Sequence, residues 1–323
     1  MTLEGALLVV AAIAFAVVSG ANDGGTLIAM GLKISSVKPL TAIGLLSVAV
    51  MAGPILIGTR VATTLADRLV AFEGDAGDSA LLVAVAVALL VVAVLSYKGL
   101  PTSLTLALMG GIAGSGVGFR LPVAWDTVGF VLAMGAAAPF VGAVGGFAFS
   151  RFLLRYIPGR GTAATRIGLA HRLAFGLQCL AYSVNDGQKM LALFAVTAGT
   201  ASGAVSARPE QVVVIGVLFA LGILISLRRF AGLLGGGIML LRPANAITAE
   251  FSSAAVLFGT AALGAPVSMT QSVTAALIGS GLSEGYGRIR WQAAFRIVLA
   301  WVFTLPAAAG LAAVIARIDS VIL

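Results

Sequence analysis

The chain has 323 residues, of which 60% are hydrophobic and only 10% charged, and its mean hydropathy is +1.09. Soluble domains carry about 25% charged residues, so no water-soluble fold could hide this much apolar surface, and the solvent of this chain is lipid. One cysteine, Cys179, and one histidine, His171, exclude an internal disulfide framework and leave no set for a multi-cysteine or histidine-based metal site.

A spanning helix needs about 20 mostly apolar residues. Such stretches run over 3–32, 40–58, 79–97, 124–150, 165–200, 211–227, 245–262 and 293–316. The fold class is therefore all-α, a polytopic integral membrane protein. Met1-Thr2-Leu3-Glu4 places no positive charge before the first apolar run, so that run is expected to be a retained span rather than a signal peptide. The first and fifth stretches are long and are interrupted by Asn22-Asp23 and Asn185-Asp186, which predicts two broken helices. Stretches 99–119 and 264–282 are apolar but rich in Gly, Ser and Thr. They contain Pro101 and Pro266 near their starts and end near Gly114-Ser115-Gly116 and Gly279-Ser280-Gly281. Proline and glycine interrupt regular helix. Both stretches are read as re-entrant hairpins, which survive at membrane depth only when buried in protein or lining a cavity. Segments 60–73 and 230–241 occupy matching places as short helices or surface-lying pieces.

These features repeat. Ser103 follows Asp23 by 80 residues and Ser268 follows Asp186 by 82, so the halves are offset by 163 residues at the first motif and 165 at the second. The expected organisation is a first transmembrane repeat, 1–150, a basic linker, 151–172, and a second repeat, 173–323. Arg151, Arg155, Arg160, Arg166 and Arg172 place the linker in the cytoplasm. The 66–78 loop is acidic, with Asp67, Glu73, Asp75 and Asp78. Inverted repeats would put both termini outside and need an odd number of crossings per half. The formal charge of +8 is thus an orientation signal rather than a nucleic-acid footprint.

An ionisable residue inside a membrane segment costs about 2.5–3.5 kcal/mol on insertion scales. A monovalent cation held by the carboxylates of Asp23 and Asp186 and the amides of Asn22 and Asn185 would compensate them. Gly24, Gly25 and Gly187 would let an unwound helix turn its carbonyls to the ion. The hairpins offer the hydroxyls of Thr102, Ser103, Thr105, Ser268 and Thr270, which with helix N-termini suit a tetrahedral oxyanion. Gln188-Lys189 has no counterpart in the first half. Lys189 is either an ion-pair partner for Asp186 or a contact for an anion. Glu250 is a coupling group or a helix cap, with the cap favoured. Arg228, Arg229 and Arg242 are expected to snorkel to the interface, and the 41 glycines to serve helix packing.

Gly20-Ala21-Asn22-Asp23, Asn185-Asp186-Gly187-Gln188-Lys189, Pro101-Thr102-Ser103-Leu104-Thr105 and Pro266-Val267-Ser268-Met269-Thr270 together resemble the motifs of the inorganic phosphate transporter (PiT) family. The likeness covers both halves. It implies an inverted-repeat symporter of phosphate with sodium or a proton, working by alternating access. It implies that the Asn-Asp elements take the cation, with Na⁺ at Asn22, Asp23, Asn185 and Asp186, and that the hairpins take phosphate together with Gln188 and Lys189. No resident cofactor and no enzymatic activity are implied. The partners are phosphate or a related oxyanion, the coupling cation, the bilayer of the cell membrane and a second copy of the chain. The family's second hairpin threonine is Leu104 in one half and Met269 in the other, and its histidine is Leu106 and Gln271. A sulfate permease is therefore the alternative substrate reading. A channel is disfavoured because acids and hydroxyls paired across two halves suit one occluded site, and an intramembrane enzyme because no motif holds a histidine.

Overall fold

The structure is a computed structural model. It describes residues 3–70, 72, 74–97, 102–156, 163–199, 204–233 and 237–322. Among them there is no strand beyond one isolated antiparallel bridge, Val70 to Val123. The first helical rod is α1 (Leu3–Ser19), a π-helical turn (Gly20–Gly24) and α2 (Gly25–Gly31). Then come α3 (Pro39–Leu56), the single turn α4 (Arg60–Thr63) with a π-turn (Thr64–Arg68), α5 (Gly74–Tyr97), α6 (Leu104–Gly118) and α7 (Trp125–Tyr156). The second half repeats the order as α8 (Ala163–Thr197), α9 (Pro209–Leu233), α10 (Pro243–Ala262), α11 (Met269–Glu284) and α12 (Trp291–Ile322).

Local chemistry sets the boundaries. Pro39 and Pro243 open α3 and α10, where proline's missing N–H costs nothing. Ser103 and Ser268 cap α6 and α11, accepting from the N–H groups of Leu106 (3.2 Å) and Gln271 (3.4 Å). Six described stretches are long and apolar enough to span a membrane: Leu3–Gly31, Pro39–Leu56, Ala76–Tyr97, Trp125–Leu153, Pro209–Ser226 and Trp291–Val321. Helices α8 and α10 are also long but carry the polar residues of the interior. Large apolar side chains such as Leu40, Phe140, Val144, Ile225, Phe303 and Val321 point outward, as a lipid solvent requires.

The halves exchange partners. Helix α6 of the first packs on α12 of the second, and α11 of the second packs on α7 of the first. The same swap pairs α1 with α9 and α8 with α3, and α5 with α12 and α10 with α7. Glycines let these backbones approach: a Cβ on Gly114 would fall on the carbonyl oxygen of Ala309, and one on Gly279 on that of Ala143. Small residues are the usual means of helix contact in lipid.

Three expectations change. The Asn-Asp helices are not broken. Leu3–Gly31 stays helical through its π-turn, and α8 runs unbroken through Asn185 and Asp186. The helix survives because its polar side chains find partners, and Gly24 serves packing instead. A Cβ on Gly24 would lie 2.7 Å from Ile223 Cγ1 of α9. Stretches 99–119 and 264–282 each supply one helix, so the second arm of each helix pair is the preceding α5 or α10. Segment 60–68 is buried from Val61 to Ala66 rather than surface-lying. Its counterpart is not a separate helix, since α9 continues to Leu233 and 237–242 is non-helical. Arg242 is half-exposed and pairs with Glu284 (3.1 Å), which also holds Arg288 (3.3 Å). Pro101 and the side chains of Arg228 and Arg229 lie outside the described residues.

Candidate functional site

The site is built where the two hydroxyl segments meet. Thr105, in the first turn of α6, lies with its Oγ1 3.5 Å from the carbonyl of Val267, just before α11. A first-half hydroxyl thus abuts a second-half backbone. Lys189 on α8 reaches the same point. Its Nζ donates to Asp186 Oδ1 (2.5 Å), Thr105 Oγ1 (2.5 Å) and the Val267 carbonyl (2.6 Å), and only 3% of it is exposed. Asp186 and Lys189, three apart on a helix, share a face.

Asp23 is buried at the π-turn and accepts from Asn22 Nδ2 (2.8 Å). It interacts electrostatically with both Asp186 and Lys189. The four charged and amide residues of the Asn-Asp elements do not act alike, however. Asn185 brackets the segment ahead of α11: its Nδ2 donates to Thr260 Oγ1 and the Ala265 carbonyl (both 3.1 Å), and its Oδ1 accepts from Val267 N–H (3.1 Å). Gln188, expected among the anion contacts, is engaged elsewhere. Its Oε1 accepts from the N–H groups of Val61 (2.8 Å) and Ala62 (3.0 Å), and its Nε2 donates to the Gly58 carbonyl (2.6 Å). It therefore caps α4 from a helix more than 120 residues away and anchors the buried 60–68 segment.

Ser103, Thr102 and Thr105 are buried, as is Ser268, whose Oγ lies 2.9 Å from Thr270 Oγ1. Capping uses a lone pair of each serine, which leaves its O–H available to donate. Four buried polar atoms near this point have no hydrogen-bond partner in the protein: Thr102 Oγ1, Asp186 Oδ2, Gln271 Oε1 and Tyr182 Oη. Unsatisfied buried polar groups are rare and call for a ligand, an ion or water. Tyr182 escaped the sequence reading. It lies one turn before Asp186 and within electrostatic reach of Asp23 and Asp186, and its signal was an aromatic hydroxyl at i, i+4 spacing from a membrane acid. A cavity of ≈ 590 Å³, mostly apolar, abuts the cluster at Thr105, Val267, Ser268 and Gln271.

A second buried polar cluster lies apart. His171 and Glu250 are fully buried, with Nε2 3.2 Å from Oε1, and His171 Nδ1 is 2.5 Å from Ser36 Oγ. Gln178 Oε1 accepts from Ser253 (3.0 Å) in the same region. Glu250 sits mid-helix in α10, so it is no helix cap. Its partner lies 79 residues earlier in sequence. Removing one member of a buried pair costs about 3–5 kcal/mol, whereas replacing both by apolar residues is often neutral. His171→Leu should therefore lower thermal stability in detergent sharply, and His171→Leu combined with Glu250→Leu should recover most of it. Equal melting temperatures for the single variant and wild type would show the pair to be immaterial to stability.

Helices on every side, lipid-facing apolar surface and a buried polar site drawn from both halves define a polytopic membrane transport protein. Comparison with known proteins makes the class specific. The Phosphate transporter family (PHO4) matches residues 19–173 and 159–312. A relative from Mycobacterium tuberculosis (strain ATCC 25618 / H37Rv), named a probable low-affinity inorganic phosphate transporter, is 34% identical over 94% of this chain and 74% of its own. One of the same name from Bacillus subtilis (strain 168) is 28% identical over 95% of each chain. The solved structure called the sodium-dependent phosphate transporter superposes with a TM-score of 0.80 over 100% of both chains at 17% identity, a likeness of fold. The chain belongs to the phosphate transporter family, a family of transporters and not of enzymes.

Proposed function

We propose that the protein carries inorganic phosphate inward in symport with a cation, by alternating access to one site shared between inverted halves. The observation that carries this reading is the cluster in which Thr105 of one half and Asp186 and Lys189 of the other are bonded together. Phosphate would lie against Thr102, Ser103, Thr105, Ser268 and Thr270, at the N-termini of α6 and α11, whose partial positive charge favours an anion. The coupling cation would lie at Asp23, beside Asn22 and Asp186. With both acids ionised, Lys189 leaves the cluster one negative charge in excess. Phosphate alone is then repelled, and a bound cation removes the repulsion, which couples the two. Asn185 and Gln188 hold the backbone around the site. The names of the relatives favour phosphate, and that of the solved structure favours sodium.

Five helical elements per half, counting the shorter α6 and α11 and leaving out the single turn α4, are an odd number, which supports inverted halves. In that arrangement the 151–172 linker between the 1–150 and 173–323 repeats is cytoplasmic and both termini are outside. Cysteines at Thr165 and Ser320, both exposed positions, in a Cys179→Ala background would report this. An impermeant reagent on intact cells should label Ser320→Cys and spare Thr165→Cys. The reverse pattern would overturn the orientation.

Uptake into proteoliposomes tests the function. Labelled phosphate and sulfate are offered with sodium or proton gradients imposed separately. The expected result is saturable phosphate accumulation driven by one of the gradients, with sulfate poorly taken up. Sulfate preference would reassign the substrate, and flux independent of every cation gradient would point to a channel.

A further inference from the structure

The repeat makes an inequality visible. Three residues after Asp23 stands Thr26, and three residues after Asp186 stands Lys189. Thr26 turns its hydroxyl back to the Asn22 carbonyl (2.7 Å) and brings no charge. Lys189 places an ammonium nitrogen among three oxygens at 2.5, 2.5 and 2.6 Å: a carboxylate, a hydroxyl and a backbone carbonyl. That oxygen set is the one a small monovalent cation takes, and the spacing is close to what such an ion would have. An ammonium has three N–H donors, and all three are spent here. Lys189 thus has no donor left for phosphate, which decides between the two roles open to it in the sequence.

We propose that Lys189 is a tethered cation that fills the second-half cation position, so that only the Asp23 side takes a mobile coupling ion. The proposal rests on the reading of the Asn-Asp elements as cation sites, but it goes further by assigning them unequal occupants. Asp186 is neutralised permanently by its own helix. Asp23 is bonded to the neighbouring Asn22 amide and carries the exchangeable charge. Because the Lys189 Nζ is also held by Thr105 and Val267, this fixed cation ties α8 to both hydroxyl segments whether or not a mobile ion is present. A lysine cannot leave with the substrate, so each phosphate would travel with one fewer ion than a site with two mobile cations would demand.

The test counts ions rather than flux, so it stands apart from whether phosphate is the substrate. Purified wild type, Lys189→Ala and Lys189→Arg are equilibrated with ²²Na⁺ in detergent without phosphate, and bound sodium per chain is measured. Truncation to alanine leaves Asp186, Thr105 and the Val267 carbonyl open to an ion. Lys189→Ala should bind one more Na⁺ per chain than wild type. Lys189→Arg, which keeps the charge, should not, and adding Asp186→Asn to Lys189→Ala should remove the extra ion. Equal sodium binding by wild type and Lys189→Ala would overturn the proposal. If the alanine variant does not elute as a folded species, the sodium dependence of wild-type phosphate uptake decides: a Hill coefficient of one supports a single mobile ion and a coefficient of two refutes it. A failed phosphate assay with an intact gain of sodium would sink the transport reading alone.

Discussion

Gradient-driven uptake is expected to collapse in Asp23→Asn while the protein remains folded. Losing a buried charge pairing costs about 2–5 kcal/mol, which at about 1.4 kcal/mol per decade is roughly a thirtyfold loss or more. The fold should survive because Asp23's described side-chain hydrogen bond is to its neighbour Asn22, which an asparagine oxygen can also accept, and Lys189 keeps Asp186 as its ion-pair partner. Asp186→Asn is a different case. It strands the Lys189 ammonium in the interior, and uncompensated buried charge is destabilising by about 3–5 kcal/mol. The informative contrast is therefore between Asp23→Asn, inactive and stable, and Asp186→Asn, inactive and unstable, with stability returning when Lys189→Met is added. Melting temperature in detergent and uptake in proteoliposomes separate the two. Wild-type uptake by Asp23→Asn would remove the carboxylate from the coupling mechanism.

The second large effect belongs to the hydroxyls. Ser103→Ala with Ser268→Ala should weaken phosphate affinity by roughly 1–3 kcal/mol for each buried hydrogen bond lost. The same change also removes two helix caps, which costs about 0.5–2 kcal/mol of stability each. The two contributions can be told apart. Ser103→Thr and Ser268→Thr keep both the capping oxygen and the hydroxyl proton and should bind phosphate nearly as wild type does. Thr105→Val preserves shape, touches no cap and removes the oxygen that accepts from Lys189. Affinity unchanged in both Thr105→Val and the double alanine variant would make these hydroxyls structural only.

The spans were legible in the sequence because twenty-residue apolar runs have no other stable use at this composition. The matched Asn-Asp and Pro-x-Ser-x-Thr segments were legible because duplication marks them twice. What the sequence hid is tertiary. Gln188 reads as a neighbour of Lys189, yet its bonds reach back to Gly58, Val61 and Ala62. His171 reads as a lone histidine and Glu250 as a helix cap, and only folding brings them together. The π-turn at Gly20–Gly24 was hidden for another reason. Glycines beside a polar pair suit an unwound helix and a close helix crossing equally well, and the nearness of Phe219 and Ile223 decides for the crossing.

If two halves build one site, phosphate binding must depend on residues of both. Calorimetric titration of the purified protein with phosphate, in the presence and absence of the coupling cation, measures that dependence. One phosphate should bind per chain, only when the cation is present, and that single binding event should weaken by roughly 1–3 kcal/mol when either Thr105 of the first half or Ser268 of the second is replaced by an apolar residue. Two phosphates per chain, each weakened only by changes to the hydroxyls of its own half, would contradict the shared site.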